Sequence, residues 1–297
     1  FCFGVRRAVE TARRSAPAVT LGPVIHNPRV VSELASIGVR SVSSPEEIPE
    51  GARAVVRSHG VGRETLERLK ARGAEVLDAT CPFVRRIHEM ALSAERDGIA
   101  LIVVGEERHP EVEGIRGWTS GESYAVATEE AALALPEMER ALVVSQTTFI
   151  EGRFDRITQT IVQRVRHPEI LRTICPATRQ SQEEAVRLAR EVDVMVVVGG
   201  RESSNSRKLY ELVREVCPRA LFIESAEELE GIGISATDRV GITAGASTPD
   251  CIIKEVVARM NDIEKQVTPS EEHVEQAETS PTESDFMADV EKTLVQI

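Results

Sequence analysis

The chain has 297 residues, 41% of them hydrophobic and 28% charged, with a formal net charge of −12; this suits a globular protein with two or three cores and argues against nucleic acid as the main partner. Aromatic residues make up only 3%, so the core must be mostly Val, Ile, Leu and Ala, as in parallel strands covered by helices. The longest apolar runs, such as 99–104 and 195–198, are far too short to span a bilayer and no leader-like segment precedes them, so no membrane association is expected and the cytoplasm is the expected location.

Taken in order, the chain repeats one pattern three times. Cys2, in Phe1-Cys2-Phe3-Gly4-Val5, precedes a predicted helix (5–14), a strand (19–25) and the polar loop His26-Asn27-Pro28. A helix (30–37), a strand (39–42) and an acidic turn (44–47) follow. The strand 52–57 then ends on Ser58-His59-Gly60, and a helix (64–72) leads through Asp78-Ala79-Thr80 to Cys81.

From Cys81 a helix (83–96) leads to the strand 100–104 and the loop Arg108-His109-Pro110-Glu111. A strand (124–127) and an acidic turn (128–130) precede the strand 141–144, which ends on Ser145-Gln146-Thr147-Thr148. A helix (154–165) returns the chain to Cys175. From there a helix (181–190), the strand 194–198 and the loop Glu202-Ser203-Ser204-Asn205-Ser206 follow. The helix 207–216, the strand 221–223, an acidic turn (225–228) and the strand 239–243 lead to Ala244-Gly245-Ala246-Ser247 and a last helix (249–260).

The expected fold is therefore α/β: three lobes (1–80, 81–174 and 175–262) about a pseudo-threefold axis, each with a mostly parallel sheet. The remainder, 263–297, carries nine carboxylates against two lysines and reads as an acidic, mostly disordered tail. Residues are expected to precede Phe1 and to follow Ile297.

Five cysteines at wide spacing do not suggest a disulfide framework. A lone cysteine after a strand is ordinarily a small buried hydrophobe, and Cys217 and Cys251, which have no repeat partners, are read so. Cys2, Cys81 and Cys175 occupy equivalent places ahead of helices, where orphan amides and the helix dipole favour a thiolate. Converging, they offer three sulfur ligands to a zinc ion or to an iron–sulfur cluster with one open iron; spacing leaves both open.

Ligands of parallel sheets bind beyond the carboxyl ends of the strands, where His26, His59, His109, Glu111, Thr147, Ser203, Ser204, Asn205 and Ser247 all fall. Glu111 is the candidate proton donor. The serines and Asn205 suit helix capping, and equally the binding of a phosphate without Lys or Arg. His88, His167 and His273 read as structural or solvated. A three-cysteine zinc hydrolase and a non-catalytic iron–sulfur sensor are the alternative functions.

The segments around Cys2, His26-Asn27, Ser58-His59-Gly60-Val61, Asp78-Ala79-Thr80-Cys81-Pro82 and His109-Pro110-Glu111-Val112-Glu113-Gly114 resemble the LytB/IspH family. So do Ser145-Gln146-Thr147-Thr148, Ser203-Ser204-Asn205-Ser206 and Thr243-Ala244-Gly245-Ala246-Ser247, in order along residues 1–261. The resemblance implies a trefoil around a 4Fe-4S cluster held by Cys2, Cys81 and Cys175. It implies a 4-hydroxy-3-methylbut-2-enyl diphosphate reductase activity, the last step of the methylerythritol phosphate route to isoprenoids, fed by ferredoxin or flavodoxin. His26, His59, Ser203, Ser204, Asn205 and Ser247 match positions that hold the diphosphate, with His109 near the substrate. Glu111 matches the proton donor and Thr147 its relay partner.

Overall fold

The computed structural model describes residues 1–235 and 237–267, with side chains described to residue 262. Each lobe begins where a cysteine occupies the N-cap of a helix, and two of those helices open on proline (Pro82, Pro176), whose missing N–H is an orphan at that position anyway. The first lobe contains α1 (Phe3–Arg14), β1 (Ala18–Leu21), α2 (Pro28–Ser36), β2 (Val39–Val42), β3 (Arg53–Val56), α3 (Arg63–Ala71) and β4 (Glu75–Asp78). The second contains α4 (Pro82–Arg96), β5 (Ala100–Val104), α5 (Pro110–Arg116), β6 (Ser123–Val126), α6 (Glu129–Leu133), β7 (Met138–Ser145), α7 (Glu151–Ile161) and β8 (Val165–Ile170). The third contains α8 (Pro176–Ala189), β9 (Val194–Val198), α9 (Ser204–Val216), β10 (Ala220–Ile223), β11 (Val240–Ala244) and α10 (Asp250–Val267).

The sheets confirm the repeat. Their strand orders are β2-β1-β3-β4, β6-β5-β7-β8 and β10-β9-β11, and every pairing is parallel. Among the described residues the third sheet has three strands, and α10 follows β11 where the other two lobes turn toward the next cysteine. Central strands Ala100–Val104 and Val194–Val198 are buried at every position, as expected of a parallel strand covered on both faces. Their alternate residues feed two cores: Ile102 and Val104 face one layer and Leu101 and Val103 the other, as do Met195 and Val197 against Val196 and Val198.

The acidic turns differ in detail. Those of the first and third lobes are 3-10 turns, whereas in the second Thr128 accepts from the Ala131 amide and caps α6. Sequence periodicity also misses β8, whose residues Val165–Ile170 include His167 and Pro168 in the expected helix-to-cysteine connection. The strand forms at a sheet edge, where proline owes the ladder no N–H on its open side. Helix α10 runs past the boundary expected at 262 to Val267; the rest of the expected tail, 268–297, lies outside the described residues.

The three lobes close into a ring through the cysteines themselves. The Cys81 amide donates to the Ser58 carbonyl (3.0 Å), Cys175 to Thr147 (2.9 Å) and Cys2 to Ala246 (3.2 Å). Each acceptor belongs to the polar strand end of the preceding lobe, with the third lobe serving Cys2 of the first. Gly200 lets the third lobe approach the first, since a Cβ there would collide with the carbonyl of His26.

Candidate active site

A cavity of about 230 Å³ lies where the lobes meet, and every site residue expected from the sequence lines it. Its lining is of two chemical kinds. Cys2, Cys81 and Cys175 are half-buried and free of disulfides. Each occupies the N-cap of a helix and lines the cavity. Burial pushes the Cys81 thiol up; the Phe83 and Val84 amides oppose this, and Cys2 and Cys175 push it up further. Gly4 keeps the space beside it open, since a Cβ there would lie 2.7 Å from Cys81 Sγ.

The donor set fits an iron–sulfur group: three soft sulfurs, close enough to repel when ionised, call for a cationic centre. Among the described residues no three His, Cys, Asp or Glu side chains are grouped to hold a single metal ion.

The rest of the lining is mostly polar side chains at strand ends. His26 and His59 come from the first lobe and His109 from the second, with ring centroids 5.4 Å apart for His26–His59 and again for His59–His109. All three titrate below an ordinary histidine, chiefly through burial, with the Arg57 guanidinium adding to the effect. His109 is pulled down to about 3. Its Nδ1 accepts from the Glu111 amide (3.1 Å), capping α5, so the neutral ring carries its proton on Nε2. His59 Nδ1 is buried and has no hydrogen-bond partner within the protein, the state of a group that awaits a ligand.

Glu111 is 1% exposed. The Thr147 amide donates to its Oε1 (2.5 Å), and the Thr147 hydroxyl is 2.8 Å from Oε2. Burial raises its pKa, opposed by the Thr147 contacts and by Lys208. In the third lobe Ser203 caps α9, accepting from the Ser206 amide (3.4 Å) and from Ser247 Oγ (3.1 Å). Its own hydroxyl hydrogen is thus left for the cavity. Ser204 and Asn205 occupy the first turn of α9, where amides point at the same space.

Two cations behind this wall, Lys208 buried and Arg57 half-buried, escape the sequence reading. Lys208 Nζ lies 2.6 Å from Ser204 Oγ, 3.3 Å from Gln146 Oε1 and 2.6 Å from Glu106 Oε1, joining the second lobe to the third. Its position four residues after Ser204 puts both on one face of α9, the only signal the sequence holds for it. Arg57 directly follows β3, just before Ser58-His59, and its Nε is buried without a partner; an arginine just past a strand carries no such signal. Of the histidines set aside, His88 is buried and stacks on Trp118 at 5.0 Å, and His167 is exposed beside Glu139 (3.5 Å). His273 lies outside the described residues. Cys217 is buried and Cys251 exposed, neither in the cavity.

The family model described as "LytB protein" matches residues 1–261. Curated proteins named 4-hydroxy-3-methylbut-2-enyl diphosphate reductase are similar over most of their length. That of Aquifex aeolicus (strain VF5) is 42% identical, with 89% of this chain and 93% of the relative covered. That of Thermoanaerobacter sp. (strain X514) is 40% identical, with 88% and 93% covered. A solved structure of (E)-4-hydroxy-3-methyl-but-2-enyl diphosphate reductase, described as the terminal enzyme of the non-mevalonate pathway, is 42% identical with a TM-score of 0.64, covering 88% of this chain and 96% of that one. A second, of the E-1-hydroxy-2-methyl-but-2-enyl-4-diphosphate reductase from Plasmodium falciparum, shares the fold at a TM-score of 0.81 and 22% identity, covering 98% of this chain and 95% of that one. On the family match, on these relatives and on a cavity that unites all of its motif residues, the chain belongs to the LytB family.

Proposed function

We propose that this chain is a 4-hydroxy-3-methylbut-2-enyl diphosphate reductase that removes the allylic hydroxyl, giving isopentenyl and dimethylallyl diphosphate. One observation carries the reading: a single cavity is lined both by three free thiols and by a buried carboxyl among hydrogen-bonding groups of the phosphate-binding kind. Cys2, Cys81 and Cys175 would hold a 4Fe-4S cluster, leaving one iron open. When bound, the cluster would relay two electrons, one at a time, from an external donor and supply a Lewis-acidic iron to the substrate's hydroxyl end.

The protein's own groups do the rest. The neutral rings of His26, His59 and His109, the hydroxyls of Ser203, Ser204 and Ser247, Asn205 and the α9 amides surround the space for the diphosphate. Ser204, whose hydroxyl faces Glu106 Oε1 at 3.3 Å, must turn it toward the anion. Because the Thr147 amide fixes Glu111 Oε1 as an acceptor, a proton on this raised-pKa carboxyl sits on Oε2, against Thr147 Oγ. The proton can then pass from Oε2 to Thr147 while the Thr147 hydrogen moves on to the departing oxygen. Overall, two electrons and two protons convert the alcohol to a hydrocarbon terminus and water, one proton reaching oxygen and one carbon. Lobes closed over the substrate exclude bulk water and strengthen each contact.

Ferredoxin or flavodoxin is the proposed electron donor, in the cytoplasm; among the described residues no helix is long and apolar enough to cross a membrane. The test is an anaerobic assay of the cluster-loaded protein with the allylic diphosphate and a chemical reductant. Formation of both C5 diphosphates is expected. A preparation with its cluster intact that consumes no substrate would overturn the proposal.

A further inference from the structure

We infer that the surface surrounding the three cysteines, ringed by Arg6, Arg85 and Arg179 and bearing Phe3 and Phe83, is the docking face for a small acidic electron-carrier protein. The inference rests on the reductase reading, which requires electrons to reach the cysteines. These are half-buried, and the helix starts that carry Cys2 and Cys81 reach the surface at Phe3 and Phe83.

An arginine stands four residues after each cysteine, and its amide donates to that cysteine's carbonyl: Arg6 to Cys2 (3.0 Å), Arg85 to Cys81 (2.9 Å) and Arg179 to Cys175 (3.0 Å). Residues so spaced share a helix face, with Cβ atoms about 5–6 Å apart. All three arginines are exposed. Among the described residues Arg85 pairs with Asp78 (2.7 Å), and Arg6 and Arg179 make no ion pair. Glu10, Glu89 and Glu183 stand one turn farther out and none pairs with them.

This pattern runs against helix electrostatics. A first turn favours carboxylates, and in this chain of net charge −12 acids do occupy the first turns of α3, α5, α6, α7 and α10. The three helices that start at cysteines have none there, nor do α2 and α9; only the cysteine helices carry an exposed arginine at the same place in all three lobes. Exposed aromatic side chains join the basic ring, Phe3 at 68% and Phe83 at 46%. A basic collar with apolar contacts on an acidic protein is complementary to an acidic partner, which it would steer toward the cysteines.

The experiment compares two electron sources on the holoenzyme: reduced methyl viologen, which needs no docking face, and a reduced acidic plant-type ferredoxin. Arg6→Glu/Arg179→Glu should raise the KM for ferredoxin at least about tenfold and flatten its dependence on salt, with viologen-driven turnover within about twofold of the unaltered protein. Arg6→Lys/Arg179→Lys should retain ferredoxin turnover. Arg40→Glu/Arg140→Glu makes the same change in net charge near the amino ends of β2 and β7 and should alter neither rate. Unchanged ferredoxin kinetics in the first variant would overturn the docking face. So would an equal loss with both donors, which would place the arginines in cluster retention. Turnover of the unaltered protein with viologen but not with ferredoxin would overturn the chosen occupant. Turnover with neither would overturn the reductase reading beneath it.

Discussion

Replacing Lys208 by Met tests how far the buried charge behind Ser204 serves the diphosphate. The ammonium is 5% exposed and touches Ser204, Gln146 and Glu106. Methionine matches its volume and can stay packed on the Phe149 ring, over which Nζ lies at 5.4 Å. The change in fold stability should be small. Hydrogen bonds from a charged donor are worth about 1.5–3 kcal/mol, and the pair with a Glu106 that is 37% exposed adds no more than about 1 kcal/mol. Against these losses stands relief from burying the ammonium, which costs several kcal/mol. A net change within about 2 kcal/mol moves Tm by less than about 8 °C.

Function should respond more. A phosphate oxygen hydrogen-bonded to Ser204 would lie roughly 5 Å from Nζ, and one unit charge at that distance interacts by about 3 kcal/mol at an effective dielectric constant of ~20. Part of this is screened, so affinity for inorganic diphosphate, measured by calorimetry on the cluster-loaded protein, should fall ten- to hundredfold, by about 1.4–2.8 kcal/mol. The pH profile supplies a second readout. Lys208 holds the Glu111 pKa below where burial alone would put it. Without the lysine that carboxyl stays protonated to higher pH, and the alkaline limb of kcat should move upward. Lys208→Arg should recover most of the affinity. Wild-type diphosphate binding together with an unmoved limb would refute the reasoning.

Glu111→Gln keeps the shape of the side chain but removes its transferable proton, so anaerobic turnover should drop about 10²–10⁴-fold with the absorbance near 400 nm retained; activity within tenfold of the wild type would remove Glu111 as the donor. Thr147→Val leaves the amide contact to Oε1 and deletes the relay hydroxyl, so kcat should fall more than KM changes, and an unaltered kcat would show that the proton takes another path. His26 and His59 should take up protons when the diphosphate arrives, because an anion beside them raises pKa values that burial holds below 6.5; His109, whose Nδ1 accepts from the Glu111 amide, stays neutral. Binding should therefore tighten as pH falls through 7 toward 6, and calorimetry in buffers of different ionisation enthalpy should register the uptake; pH-independent binding with no uptake would count against charged histidines in the complex.

The lobes were legible because Cys2, Cys81 and Cys175 each sit between strong local signals: a polar strand end before and a helix start after. The cavity followed from topology, since parallel strands deliver their carboxyl ends to one side. Sequence reading lost β8 because His167, Pro168 and Glu169 alternate without an apolar face, and only pairing with β7 makes them a strand. It missed Lys208 because a lysine in an amphipathic helix ordinarily faces water; the acid that holds it inside, Glu106, belongs to another lobe. Arg57 was hidden for the same reason. Its burial is a product of how lobes pack, which no local pattern records. Phe3 and Phe83, ordinary starts of helices in sequence, became informative only through their exposure.

The measurement that bears most directly on the account is the iron and acid-labile sulfide content of the anaerobically purified chain, alongside its Cys81→Ser variant. Three thiols around an open corner predict about four irons and four sulfides per chain, a brown protein absorbing near 400 nm, and loss or disruption of that cluster in the variant. A colourless protein with stoichiometric zinc, or a full cluster that survives without Cys81, would contradict it.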